Sequence, residues 1–103
     1  MDTAPKQAGC YLVHFDSKLS HAQHYLGMAY DIRTRVNTHM RGTSRARLPE
    51  VIHALGIGMT LVREWHTDTP KQAYILERKL KAQKNSPRLC PVCTGTTSIR
   101  RCL

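Results

Sequence analysis

No stretch of this 103-residue chain approaches the roughly 18–20 unbroken apolar residues that a membrane-spanning helix needs. The opening Met1-Asp2-Thr3-Ala4-Pro5-Lys6-Gln7 lacks the charged-then-apolar layout of a secretory leader, so a cytoplasmic protein is expected. The length leaves room for one domain with one modest core and excludes a two-domain enzyme with its own substrate domain. The 4 cysteines would suit a disulfide scaffold only in an oxidising compartment, to which nothing here directs the chain; thiols or a metal are expected instead. There is no internal repeat, and no amphipathic basic helix of the kind that lies on a membrane.

Acidic side chains are also few. The chain carries 7 Asp+Glu against 16 Lys+Arg, a formal charge of +9. A surplus of that size is the electrostatic footprint of a polyanion binder, and nucleic-acid phosphates are the commonest such partner. Three of the cations, Arg41, Arg45 and Arg47, fall in one small polar stretch, which reads as a mobile basic loop placed to touch phosphates.

What is present divides into six elements. Gly9 to Phe15 is rich in aromatic and branched residues and reads as a strand, with Tyr11, Val13 and Phe15 on one face. A polar stretch leads to a second strand over 24–29, making a hairpin. Gly27 inside that strand marks a place where another backbone or a ligand comes close. Asp31 can cap a helix with Ile32, Val36 and Met40 at helical spacing, and Gly42 can end it; Arg35 and His39 lie one turn apart on the flank of that stripe. Pro49 opens a second helix, closed by Gly56, with Leu48, Val51, Ile52 and Leu55 along one side. Residues 59–66 alternate as a third strand, with Leu61 and Trp65 on one side. Thr69, Pro70 and Gln72 form the clearest helix start, a capping box, ahead of a stripe of Ala73, Leu76 and Leu80 with Glu77 on its inner edge. The order predicts a small α/β domain of the α+β type, an antiparallel sheet flanked by helices, over 9–85, with a cysteine-containing tail over 86–103.

Each polar residue bordering these stripes has a plain structural explanation. A half-buried Glu pairs with a nearby cation, and a half-buried Arg covers apolar surface with its stem. As an ordered set they say more. Gly9-Cys10-Tyr11, Tyr25-Leu26-Gly27, Asp31-Ile32 with Arg35 and His39 at the following turns, and Leu76-Glu77 on a later helix resemble the GIY-YIG nuclease family across almost the whole chain. The resemblance implies a three-stranded antiparallel sheet and metal-dependent cleavage of DNA phosphodiesters with little sequence specificity. It implies Glu77 as the anchor of one Mg²⁺ or Mn²⁺ ion, a hard cation that keeps several waters and takes only one or two carboxylates. Tyr11 matches the tyrosine that activates or orients the attacking water, and Tyr25 the one that helps position phosphate or water. Arg35 matches the arginine that steadies charge on the phosphorane. His39 matches a histidine that either accepts the tyrosine's proton or contacts phosphate. Asn85 is the candidate for a late asparagine that often completes the site. Cys10 stands where isoleucine is usual, an apolar exchange a buried position tolerates.

Cys90-Pro91-Val92-Cys93 has the spacing of half a zinc site, which Cys102 and one of several histidines could complete; free thiols in the tail are the plainer reading. Zinc shared between copies would make a dimer, so monomer and dimer both remain open. The competing function is a non-catalytic nucleic-acid-binding module with a zinc-stabilised tail. Glu77 separates the two, because binding alone has no use for a carboxylate aimed at phosphates.

Overall fold

The computed structural model describes residues 6–19, 22–44, 46–83 and 89–91. Along the chain run β1 (Gly9–Leu19), β2 (Ala22–Ala29), α1 (Ile32–Met40), α2 (Arg47–Ala54), β3 (Met59–His66) and α3 (Pro70–Gln83). The three strands form one antiparallel sheet in the order β2-β1-β3, so the first strand is the central one. This is the α+β architecture the element order predicts. No helix among the described residues is long and apolar enough to cross a membrane.

A central strand is covered on both faces, and β1 is buried without interruption from Gly9 to Phe15. Its alternate residues feed two separate clusters. Tyr11, Val13 and Phe15 pack with Ile32 and Val36 of α1 and Ile52 of α2. Cys10 and Leu12 pack on the other side with Leu26, with Leu80 of α3, and with Cys90. Each fully buried aliphatic or aromatic side chain contributes roughly 1.5–3 kcal/mol by leaving water. Truncating Ile52, which is wholly enclosed, to Ala would cost about 2–5 kcal/mol.

Local signals account for most boundaries. Thr69 Oγ1 accepts the Gln72 N–H at 3.2 Å, while Gln72 Oε1 takes the N–H of Asp68 at 2.9 Å, one residue ahead of the usual capping-box partner. Gly42 and Gly56 follow α1 and α2 at φ 74° and 73°, where a side chain would be strained.

Several expectations need correcting. Asp31 is the N-cap of α1 but makes no side-chain cap to its N–H groups. Its carboxylate is engaged by the Thr34 hydroxyl at 2.6 Å and the Gln7 N–H at 3.1 Å, which hold its pKa below the usual range. The second helix begins at Arg47, two residues before Pro49, because proline is tolerated anywhere in a first turn. Arg47 is therefore helical, and the basic loop between α1 and α2 ends at Ala46. Leu61 and Trp65 do not share a face: the β1–β3 register shifts between Leu12 and Val13, so Leu61 joins the α1–α2 side and Trp65 the α3 side. A bulge of this kind reverses the alternation on either side of it.

Candidate active site

Tyr11 and Gly27 are paired directly across the β1–β2 ladder. A Cβ built on Gly27 would sit 2.6 Å from the Tyr11 hydroxyl and 2.7 Å from Cζ, so the phenol ring lies flat over the bare backbone of β2. No other residue type leaves that path open. The ring, 1% exposed, delivers its hydroxyl to His39 on α1, with 2.6 Å between Oη and Nε2. Tyr25, two residues before Gly27 and on the same face, closes the group: its ring centroid is 5.2 Å from His39 and 6.2 Å from Tyr11. Edge-on and tilted contacts at these separations are the favoured ones for aromatic rings.

The electrostatics follow from burial. Enclosure pushes the Tyr11 phenol well above its usual pKa, with Tyr25 and Glu77 adding to the rise, while the charge of Arg35 and a hydrogen bond from it act in the opposite sense. His39 is pulled down from 6.5 to about 4, first by burial and then by Arg35. It is neutral at pH 7. Arg35 can only donate, so the arrangement that gives every group a role has Tyr11 accept from Arg35 and donate its proton to His39 Nε2. The neutral imidazole then carries its own proton on Nδ1, which is buried with no hydrogen-bond partner among the described residues. An orphaned donor of that kind costs about 1–3 kcal/mol.

Arg35 lies one turn before His39 and is fixed from behind, its Nη1 donating to the Ser44 carbonyl at 3.0 Å. Arg35 also lines a surface cleft with Lys6, Tyr30, Asp31, Thr34 and Thr38. Glu77 stands on α3, the helix of the opposite sheet face, with its side chain 16% exposed and Oε2 3.3 Å from Lys81 Nζ. Its charge reaches both Tyr11 and Cys10, raising the pKa of each. Of the five catalytic candidates, then, Tyr11, Tyr25, Arg35 and His39 are brought together, and Glu77 stands apart on the other face, its charge reaching Tyr11.

Arg41 is exposed at the C-cap of α1 and Arg47 is exposed in the first turn of α2. Arg45, Asn85, Cys93 and Cys102 lie outside the described residues. Cys10 is enclosed, as an apolar exchange requires; its thiol donates to the Ala73 carbonyl at 3.1 Å and is pushed up to about 11, mainly by burial.

Two residues escaped the sequence reading. His14 and His24 face each other across the β1–β2 ladder. They meet Cys90, 76 positions beyond His14, on the face away from Tyr11: His14 Nδ1 is 3.4 Å from His24 Nε2 and 3.6 Å from Cys90 Sγ. The ligand atoms of the three lie within 4.8 Å of one another and could hold a metal ion. The signal was available, because pairing Tyr11 with Gly27 in an antiparallel hairpin already sets His14 against His24.

Comparison with known proteins returns no matching family model, no matching curated relative and no matching solved structure.

Proposed function

We propose that this chain is a metal-dependent endonuclease that hydrolyses DNA phosphodiester bonds with little sequence specificity. The observation that carries the reading is the buried Tyr11–His39 hydrogen bond with Arg35 beside it, in a chain of net charge +9. A fixed guanidinium beside a phenol–imidazole pair is the combination that suits an anionic phosphate substrate.

Arg35 binds and orients a phosphate entering over the cleft that Lys6, Thr34 and Thr38 line, its planar fork suiting two phosphate oxygens. The anion offsets the guanidinium charge that helps hold His39 low, so the imidazole becomes a better base once substrate is present. A water then attacks phosphorus as its proton passes to the Tyr11 oxygen and the Tyr11 proton passes to His39 Nε2. The phosphorus–3′-oxygen bond breaks, and the leaving oxygen takes a proton from solvent. Tyr25 packs against both rings and holds that relay in line.

Glu77 offers one carboxylate, 16% exposed, and a hard cation that fills the rest of its shell with water and phosphate oxygens needs no more from the protein. Glu77, whose charge reaches Tyr11, would hold Mg²⁺ or Mn²⁺, and the ion would supply Lewis-acid chemistry to the phosphate. Binding it requires Glu77 to release Lys81, which remains free to pair with phosphate.

The test is incubation with labelled single-stranded, duplex and flapped DNA, each with and without Mg²⁺ or Mn²⁺. Cleavage is expected only with metal. Glu77→Gln and Arg35→Ala should each lower it by roughly 10²–10³-fold while binding persists, as expected for groups that act on transition-state charge. A folded wild-type protein that cuts none of these substrates with either metal would leave the non-catalytic binding module as the reading.

A further inference from the structure

We propose that His14, His24 and Cys90 hold a structural zinc ion on the sheet face opposite the Tyr11–His39 pair, clasping the Leu89–Pro91 segment to the β1–β2 hairpin. The donors are two imidazole nitrogens and a sulfur, the set that zinc prefers and that Mg²⁺ and Ca²⁺ avoid.

The spacing agrees with the chemistry. A tetrahedron with bonds of about 2.05 Å to nitrogen and 2.3 Å to sulfur has N···N edges near 3.4 Å and N···S edges near 3.6 Å. His14 Nδ1 lies 3.4 Å from His24 Nε2 and 3.6 Å from Cys90 Sγ. The remaining edge, His24 to Cys90, is no longer than 4.8 Å and closes by a small side-chain adjustment. As a hydrogen bond, the 3.4 Å separation of the two imidazole nitrogens is long.

The fold presets this geometry. Residues paired across an antiparallel ladder project from the same face, so the His14–His24 pairing puts both rings on the side of Leu12 and Leu26. Cys90 is fully enclosed there against the same cluster. When the ion binds, the Cys90 S–H proton leaves to solvent as the zinc–sulfur bond forms, with no change of oxidation state. With donors from β1, β2 and the 89–91 segment, the ion ties His24 to a residue 66 positions away. The proposal stands whether or not the chain cleaves DNA.

The experiment uses the full chain expressed with zinc in the medium. Metal content is read by mass spectrometry, and the stripped protein is titrated with Co²⁺. The wild type should carry about one zinc per chain, and cobalt should give the intense visible bands of a tetrahedral site with a thiolate charge-transfer band. Chelation should lower the melting temperature. His24→Ala, a partly exposed position that leaves the core filled, and Cys90→Ser should each bring the metal content close to zero. Cys10→Ser, a buried thiol of the same sheet face, should keep it. A zinc-free wild type with no thiolate–cobalt band overturns the proposal, as does zinc retained by both His24→Ala and Cys90→Ser.

Discussion

Replacing Gly27 with alanine tests the geometry of the candidate site by the sign of one number. Glycine inside a strand is worth about 0.5–1 kcal/mol less than alanine, because its unfolded backbone has more freedom to lose. Gly27 has no positive φ, so nothing in its own conformation opposes the change. Were the position ordinary, Gly27→Ala would stabilise. The added methyl would instead fall 2.6 Å from the Tyr11 hydroxyl, 2.7 Å from its Cζ and 3.0 Å from Cε2 of Tyr25. Tyr11 cannot retreat, since its ring is enclosed and its hydroxyl is committed to His39. Overpacking of this kind costs about 1–3 kcal/mol, which in a domain of this size lowers the melting temperature by roughly 4–8 °C per kcal/mol. Thermal and urea unfolding of the wild type, Gly27→Ala, Tyr11→Ala and the double variant would measure it. In the Tyr11→Ala background the clash disappears, and the glycine substitution should become neutral or stabilising. If Gly27→Ala is as stable as the wild type while Tyr11 is present, the phenol does not lie across β2 and the site as described is wrong.

Three further outcomes follow from the same contacts. His39 sits at about 4 in the folded protein against 6.5 ordinarily, so between those values the unfolded chain binds a proton that the native state refuses. Stability is fully present above about pH 6.5 and is lost as pH falls toward 4, by on the order of 3 kcal/mol; urea unfolding across that range should show it, and His39→Leu should flatten most of the slope. His24, held low first by burial and then by His14, acts in the same direction, as does Asp31 at lower pH. Removing the α3 cap with Thr69→Ala should cost about 1 kcal/mol in the same assay, and an unchanged midpoint would mean that the 3.2 Å bond to Gln72 contributes nothing. DNA affinity should fall steeply with salt, by a logarithmic slope of about 0.9 per duplex phosphate contacted; a flat response excludes phosphate as the partner.

The elements were legible because each carries a local cause. The run from Gly9 to Phe15 has the composition of a strand buried on both faces, and Thr69-Pro70 with Gln72 states where α3 begins. Apart from the start of α2, which falls two residues before Pro49, the misreadings concern relations between elements. Strict alternation put Leu61 with Trp65, but a register shift opposite Leu12 and Val13 is set by how β3 docks on β1, and no residue of β3 announces it. Asp31 looks like any helix cap, yet its carboxylate is drawn to the Gln7 N–H, 24 positions earlier, a contact fixed by tertiary structure. At the site, the ordered residue types marked Tyr11, Tyr25, Arg35 and His39, while the depth of His39 and the route of the Tyr11 ring depend on packing. Cys90 suggested a metal through its spacing to Cys93, but its histidine neighbours were hidden by sequence distance.

One ladder links the two chemistries. The β1–β2 pairing runs without a shift from Gly9 opposite Ala29 to His14 opposite His24, and it contains both the Tyr11–Gly27 and the His14–His24 rungs. A one-residue slip of β2 would set Leu26 or Met28 beneath the Tyr11 ring, where only a bare backbone fits, and would turn each side chain of the strand to the wrong face. The same slip would part the two imidazoles. Register is thus specified twice, once by a steric requirement on the α1 side of the sheet and once by a pair of nitrogens on the α3 side. An ion bound at His14, His24 and Cys90 would oppose the slip that displaces Tyr11 while touching none of the rings around it. Losing that ion should therefore loosen the Tyr11–His39 pair through the ladder, which makes the proton resonances of His39 a sensitive report on metal removal.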